Sequence, residues 1–139
     1  MTDSKEAARK VAGVWRLVST RATDASGKAL DGPYGPRGMG LVTLTSDNRM
    51  MAVLVDGRSE LPSGTKRDYS SYCGNFTFDG STLVTTVDAA SDPARMGTRQ
   101  VRKVRFEGER MILVPPERDD GGVKIHRELI WERISTVSL

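Results

Sequence analysis

Gly13-Val-Trp-Arg16 near one end of the chain and Trp131-Glu-Arg133 near the other decide how this sequence is read. Each lies in an alternating run, and the pair suggests that the first and last strands meet. A strand meander whose ends join has no free edge and is therefore a barrel. Barrels of small strand number hold either packed side chains or one small ligand.

Working outward, strand-like runs are expected at Val14–Thr23, Leu41–Thr45, Met50–Val55, Ser71–Phe78, Thr82–Ala89, Thr98–Phe106, Arg110–Val114 and Val123–Ile134. The breaks between them carry turn chemistry. Asn48 is suited to positive φ, Asp79-Gly80 makes a hairpin turn, and Pro115-Pro116 stops a strand. Asp31 to Gly40 is rich in Gly and Pro and excludes helix. Asp56 to Asp68 reads as a polar loop and a candidate lid. The expected architecture is all-β, an eight-stranded up-and-down antiparallel β-barrel. It occupies one domain over residues 1–139, with 1–11 as an N-terminal arm or short helix.

The chain has 139 residues, a formal net charge of +3 and one cysteine, Cys73. The mild basicity is spread along the chain, which argues against nucleic acid as a partner. No run is long enough for a membrane helix, and the polar start does not read as a signal peptide, so the expectation is a cytoplasmic protein. One Cys and one His, His126, leave no basis for a metal site, and no cofactor is expected. His126 beside Glu128 reads as a surface pair, and nothing near Cys73 marks it as an activated nucleophile.

Alternation assigns the inward faces. Trp15, Leu17 and Ser19 share one face of the first strand. Val42, Leu44, Met50, Ala52 and Leu54 follow. Then come Tyr72, Gly74, Phe76 and Phe78, and after them Leu83, Thr85 and Val87. On the sixth strand Val104 and Phe106 share a face with Gln100 and Arg102. Ile112 and Val114 are assigned to the seventh, and Arg127, Leu129, Trp131 and Arg133 to the last. A bulge flips any such assignment.

Several motifs, in order, resemble the lipocalin-like domain family of small bacterial and fungal proteins. They are Gly13-Val-Trp-Arg-Leu-Val-Ser19, Pro33-Tyr-Gly-Pro-Arg-Gly38, Ser46-Asp-Asn-Arg-Met50, Tyr72-Cys-Gly-Asn-Phe76, Pro93 with Met96-Gly-Thr-Arg-Gln-Val-Arg102, and Leu129-Ile-Trp-Glu-Arg133. The resemblance implies a calycin-type barrel with an internal pocket. It also implies a structural pair, Trp15 closing one end with Arg133 packed over it. Some similar barrels act in secondary metabolism as cofactor-free cyclases or isomerases. This chain departs from the family pattern in carrying Thr85 where a histidine is usual, and in a shortened Asp56–Asp68 segment.

An arginine inside a barrel needs a partner, because a lone buried charge costs several kcal/mol. The inward faces contain no Asp or Glu, so an inward Arg102 points to an anionic ligand. A register slip of one residue would place Arg102 outside instead. Gln100 and Tyr72 are the accompanying polar anchors, with Tyr34 at the mouth. Val42, Leu44, Met50, Leu54, Phe76, Thr85, Val104 and Trp131 complete the candidate ligand-binding set.

Three readings follow. The first is a carrier or sensor that binds an apolar or amphipathic molecule bearing a carbonyl or anionic group. The second is a cofactor-free cyclase or isomerase with Arg102 and Tyr72 as oxyanion and proton-transfer groups. The third is an interaction module using the outer wall, against which strict alternation argues. A homodimer is a candidate assembly.

Overall fold

The computed structural model describes residues 4–136. A short helix α1 (Ser4–Val11) precedes ten strands. These are β1 (Gly13–Thr23), β2 (Ala29–Leu30), β3 (Gly38–Leu44), β4 (Arg49–Asp56), β5 (Tyr69–Phe78), β6 (Thr82–Ala90), β7 (Arg99–Glu107), β8 (Arg110–Val114), β9 (Arg118–Asp120) and β10 (Val123–Ser135). Eight of them run antiparallel in the order β1-β3-β4-β5-β6-β7-β8-β10, and β1 pairs with β10 to close the barrel. The Trp15↔Arg133 and Leu17↔Trp131 registers are the junction that the two tryptophan motifs announced. β2 and β9 are short additions to β1 and β10 outside the eight strands expected from the sequence.

The turns follow local chemistry. Asn48 adopts φ 71° and its side-chain amide donates to the Phe76 carbonyl (3.0 Å). The Asp79 carboxylate accepts from the backbone N–H groups of Ser81 and Thr82, and Gly80 takes φ 104°. Asp92 caps a 3₁₀ turn, Pro93–Arg95, by accepting from the Ala94 N–H.

One end of the barrel is shut. Ala8 and Val11 of α1 are buried with Trp15, Leu44, Phe78 and Met111. The Trp15 indole N–H donates to the Val11 carbonyl (2.9 Å), fixing α1 across the opening. The Arg133 guanidinium lies 4.4 Å from the Trp15 ring centre and donates to the Lys10 carbonyl (2.7 Å). Such stacking contributes about 0.5–2 kcal/mol according to how dry the site is.

Inward assignments on two strands need correction, Ser19 on β1 and both Ile112 and Val114 on β8. β1 carries a bulge between Leu17 and Ser19, so beyond it Thr20 and Ala22 face Leu129 and Arg127, and Ser19 is exposed. On β8, Met111 and Leu113 join the core cluster, while Ile112 pairs with Ile130 on the outer wall. Met111-Ile-Leu-Val114 is apolar at every position, so alternation carries no information there. Phe106, at the end of β7, keeps the inner face opposite Met111 but is exposed at the closed end.

Candidate functional site

The other half of the barrel holds a cavity of about 490 Å³. Val42, Met50, Ala52 and Leu54 line one side of it, and Leu83, Thr85, Leu113, Leu129 and Trp131 the other. Of the expected wall, Leu44 and Phe76 are absent from the lining because they pack in the closed half. Val104 packs against the same core and likewise misses the cavity. Thr85, buried, stands in the lining.

Arg102 lines the cavity, which resolves the register question. β7 pairs Arg102 with Leu83 and Gln100 with Thr85, both partners being inward residues. The Arg102 guanidinium donates to Gln100 Oε1 (3.0 Å) and to the Val101 carbonyl (2.8 Å), and both acceptors are neutral. Gln100 is not part of the cavity lining and touches it only through this bond to Arg102. Burial holds the Arg102 pKa below its usual value, with the nearby Arg95 pushing the same way. The group remains protonated, because guanidinium does not lose its proton in proteins.

Three more arginines line the cavity: Arg118, which lies 4.0 Å from the Asp120 carboxylate, Arg127 and Arg95. Arg127 donates to the Pro116 carbonyl (2.9 Å), and its pKa is lowered by burial and by the neighbouring Arg118 and Arg102. Arg95 reaches in from the 3₁₀ turn, donates to the Ser70 hydroxyl (3.1 Å) and sits 5.7 Å from the Tyr72 ring centre. Sequence reading missed Arg95 and Ser70. The Asp92-Pro93 pair is an N-cap signal for a helical turn and was the available clue. Elsewhere Arg16, Arg21, Arg49, Arg58 and Arg105 all form ion pairs with carboxylates. Among the described residues, Arg95, Arg102 and Arg127 form none. The carboxylates in the lining, Asp31, Asp68 and Asp92, are exposed.

Tyr34 and Tyr72 both line the cavity. Tyr34 holds φ 66°, a region that costs a non-glycine residue about 1–2 kcal/mol. Its position is kept by the Thr20 hydroxyl, which donates to the Pro33 carbonyl (2.8 Å), and by Gly35 lying against Asp56. Burial pushes the Tyr34 phenol up, against the opposing influence of the Ser70 hydroxyl. Trp131 Nε1 and Arg127 Nε are buried without a hydrogen-bond partner among the described residues.

The candidate lid is tethered. Asp56 is buried and pairs with Arg58 (2.6 Å), and Arg67 donates to the carbonyls of Asp56 and Arg58 (2.6 Å each). His126 faces outward, 3.1 Å from Glu128. No cluster of three or more His, Cys, Asp or Glu side chains among the described residues is placed to hold a metal ion. No helix among them is long and apolar enough to cross a membrane.

The closed eight-stranded wall and its tryptophan plug agree with a match to the lipocalin-like domain family over residues 12–134. The chain belongs to this family. No curated protein and no solved structure matches it. Its lipocalin-like barrel fits small-molecule binding in general terms. This lipocalin-like domain presents the buried Thr85 to its cavity. The polar side chains of the lining are thus guanidiniums, phenols, hydroxyls, an indole and the exposed carboxylates of Asp31, Asp68 and Asp92.

Proposed function

We propose that this lipocalin-like domain binds an amphipathic small molecule through an anionic group and acts as a carrier or sensor. The observation that carries the reading is Arg102, a cavity-lining guanidinium whose hydrogen-bond partners are all neutral. A carboxylate can engage such a group with paired, charge-assisted hydrogen bonds. Arg127 and Arg95 add to the positive field around the same space, so ligands with more than one anionic oxygen are favoured. The apolar wall below them takes the rest of the molecule. The unpartnered Trp131 Nε1 supports a ligand carbonyl or other acceptor deeper in the barrel, since a buried N–H left unpaired costs about 1–3 kcal/mol.

The test is calorimetric titration with a panel of aromatic and aliphatic carboxylic acids, each paired with its methyl ester. Acids should bind at least about tenfold tighter than their esters, a difference of about 1.4 kcal/mol. Arg102→Met should abolish that preference while leaving ester binding in place. Equal binding of acids and esters by the unmodified protein would defeat the proposal.

A further inference from the structure

The outer wall of the barrel differs sharply from one side to the other. Across β7, β8 and β10 it is clasped by charge. Arg105 reaches from β7 over β8 to Glu128 on β10 (3.1 Å), Arg21 joins Glu128 from β1 (3.0 Å), and Arg16 pairs with Glu132. Ile112 and Ile130, which face outward within this region, are nevertheless buried.

Across β3, β4 and β5 the wall is bare. The registers set Met39 beside Val55 and Tyr69, Leu41 beside Val53 and Ser71, and Thr43 beside Met51 and Cys73. These outward positions form a block three strands wide without one charged side chain. Met39 and Met51 are 58% and 59% exposed, Tyr69 is 55% exposed, and Leu41 and Val53 are exposed as well. Together the five expose on the order of 500 Å², near the upper end for the largest apolar patch of an ordinary monomer. Alternation along each strand concealed this block, because its apolar residues become neighbours only through the strand pairing.

We propose that this face packs against the same face of a second copy of the chain, forming a symmetric dimer of barrels. The inference is independent of the ligand reading. Three observations select a second copy as the occupant. First, the block is uncharged, so two copies meet without burying an unpaired ion. Second, the charges at its margins are already paired within the chain, Arg16 with Glu132 and Arg49 with Asp88 (2.8 Å) and Asn75 (2.6 Å), so none is stranded when the face is covered. Third, the size is suitable. The five exposed side chains plus the rims approach the roughly 800 Å² per partner of a standard interface. Twisted sheets stack face to face in this way in β-sandwiches, and the two methionines adapt to small mismatches.

Sedimentation equilibrium of the intact chain at tens of micromolar tests the proposal. The unmodified protein should sediment as a dimer. Val53→Lys, at the centre of the block and facing solvent, should sediment as a monomer or weaken association at least about tenfold. Leu41→Gln supplies a milder variant if Val53→Lys fails to fold. Cys73 provides a second readout at the corner of the face. Its thiol should react more slowly with a maleimide in the concentrated unmodified protein than after dilution, a difference absent in the folded variant. A monomer throughout the concentration range overturns the proposal, as does a dimer that persists unweakened in a folded Val53→Lys or Leu41→Gln protein.

Discussion

Arg133 and Arg102 both project from the inner wall of the same barrel, yet they occupy opposite situations. At the closed end, Arg133 has the Trp15 ring beneath it and the Lys10 carbonyl in front of it. In the open half, Arg102 has two neutral acceptors and three further guanidiniums in the same lining. The first arginine completes a packed structure, whereas the second lines a cavity and forms no ion pair among the described residues. A charge that stabilises the fold meets its partners within the chain. On the function proposed above, Arg102 is left for the anionic group of a ligand to pair with, at some cost to stability.

The comparison can be broken most forcefully at its closed end. Trp15→Ala should destabilise the protein by about 3–5 kcal/mol in urea unfolding, since it removes the plug and the indole bond to α1. A loss below about 1 kcal/mol would show that the plug is dispensable. Arg133→Leu should cost less, about 1–2 kcal/mol, for the stacking and the carbonyl bond. Arg133→Lys should recover only part of that, because an ammonium lacks the planar face.

Arg105 provides an intermediate case on the outer wall, where its guanidinium holds the Glu128 carboxyl down at about 2, with His126 and Arg21 assisting. A carboxyl depressed in the folded state adds stability above its unfolded pKa and loses it as the pH falls. The loss should run between roughly pH 4.5 and 2 and amount to about 1 kcal/mol once solvent screening is included. Glu128→Gln should flatten that limb in a series of acid unfolding curves, and an unchanged limb would dismiss the ion pair as its source.

The smallest stability effect is expected at Arg102. Arg102→Met should leave the free energy of urea unfolding unchanged or raise it by up to about 1 kcal/mol, because it removes a charge that lacks a counter-ion. A destabilisation comparable to Arg133→Leu would erase the distinction between the two arginines.

Much of this contrast was legible locally. Turn residues such as Asn48 and Asp79-Gly80 and the period-2 runs of β3 to β6 placed the strands and their inner faces, because those signals depend on neighbours one to four residues away. The Trp15 and Trp131 motifs announced the closing strands, and Arg102 fell on the inner face by counting from Val104. Counting failed where geometry is not periodic. The β1 bulge moved Ser19 outward, and uniformly apolar β8 hid the inward role of Leu113. Leu44, Phe76 and Val104 have the right face but the wrong height, and height along a barrel is set by where α1 and Trp15 plug it.

By itself, then, the sequence determined an all-β meander, its turns, most of its inward faces and the pair of tryptophan motifs that seal it. Those properties rest on backbone chemistry and on the two-residue repeat of a strand. Tertiary structure alone decided which arginines lack a carboxylate, how Arg95 joins Ser70 and Tyr72, and that Met39, Leu41, Met51, Val53 and Tyr69 make one surface. Each of these depends on distances between residues far apart in the chain, and only the register of paired strands and the closure of the barrel determine such distances.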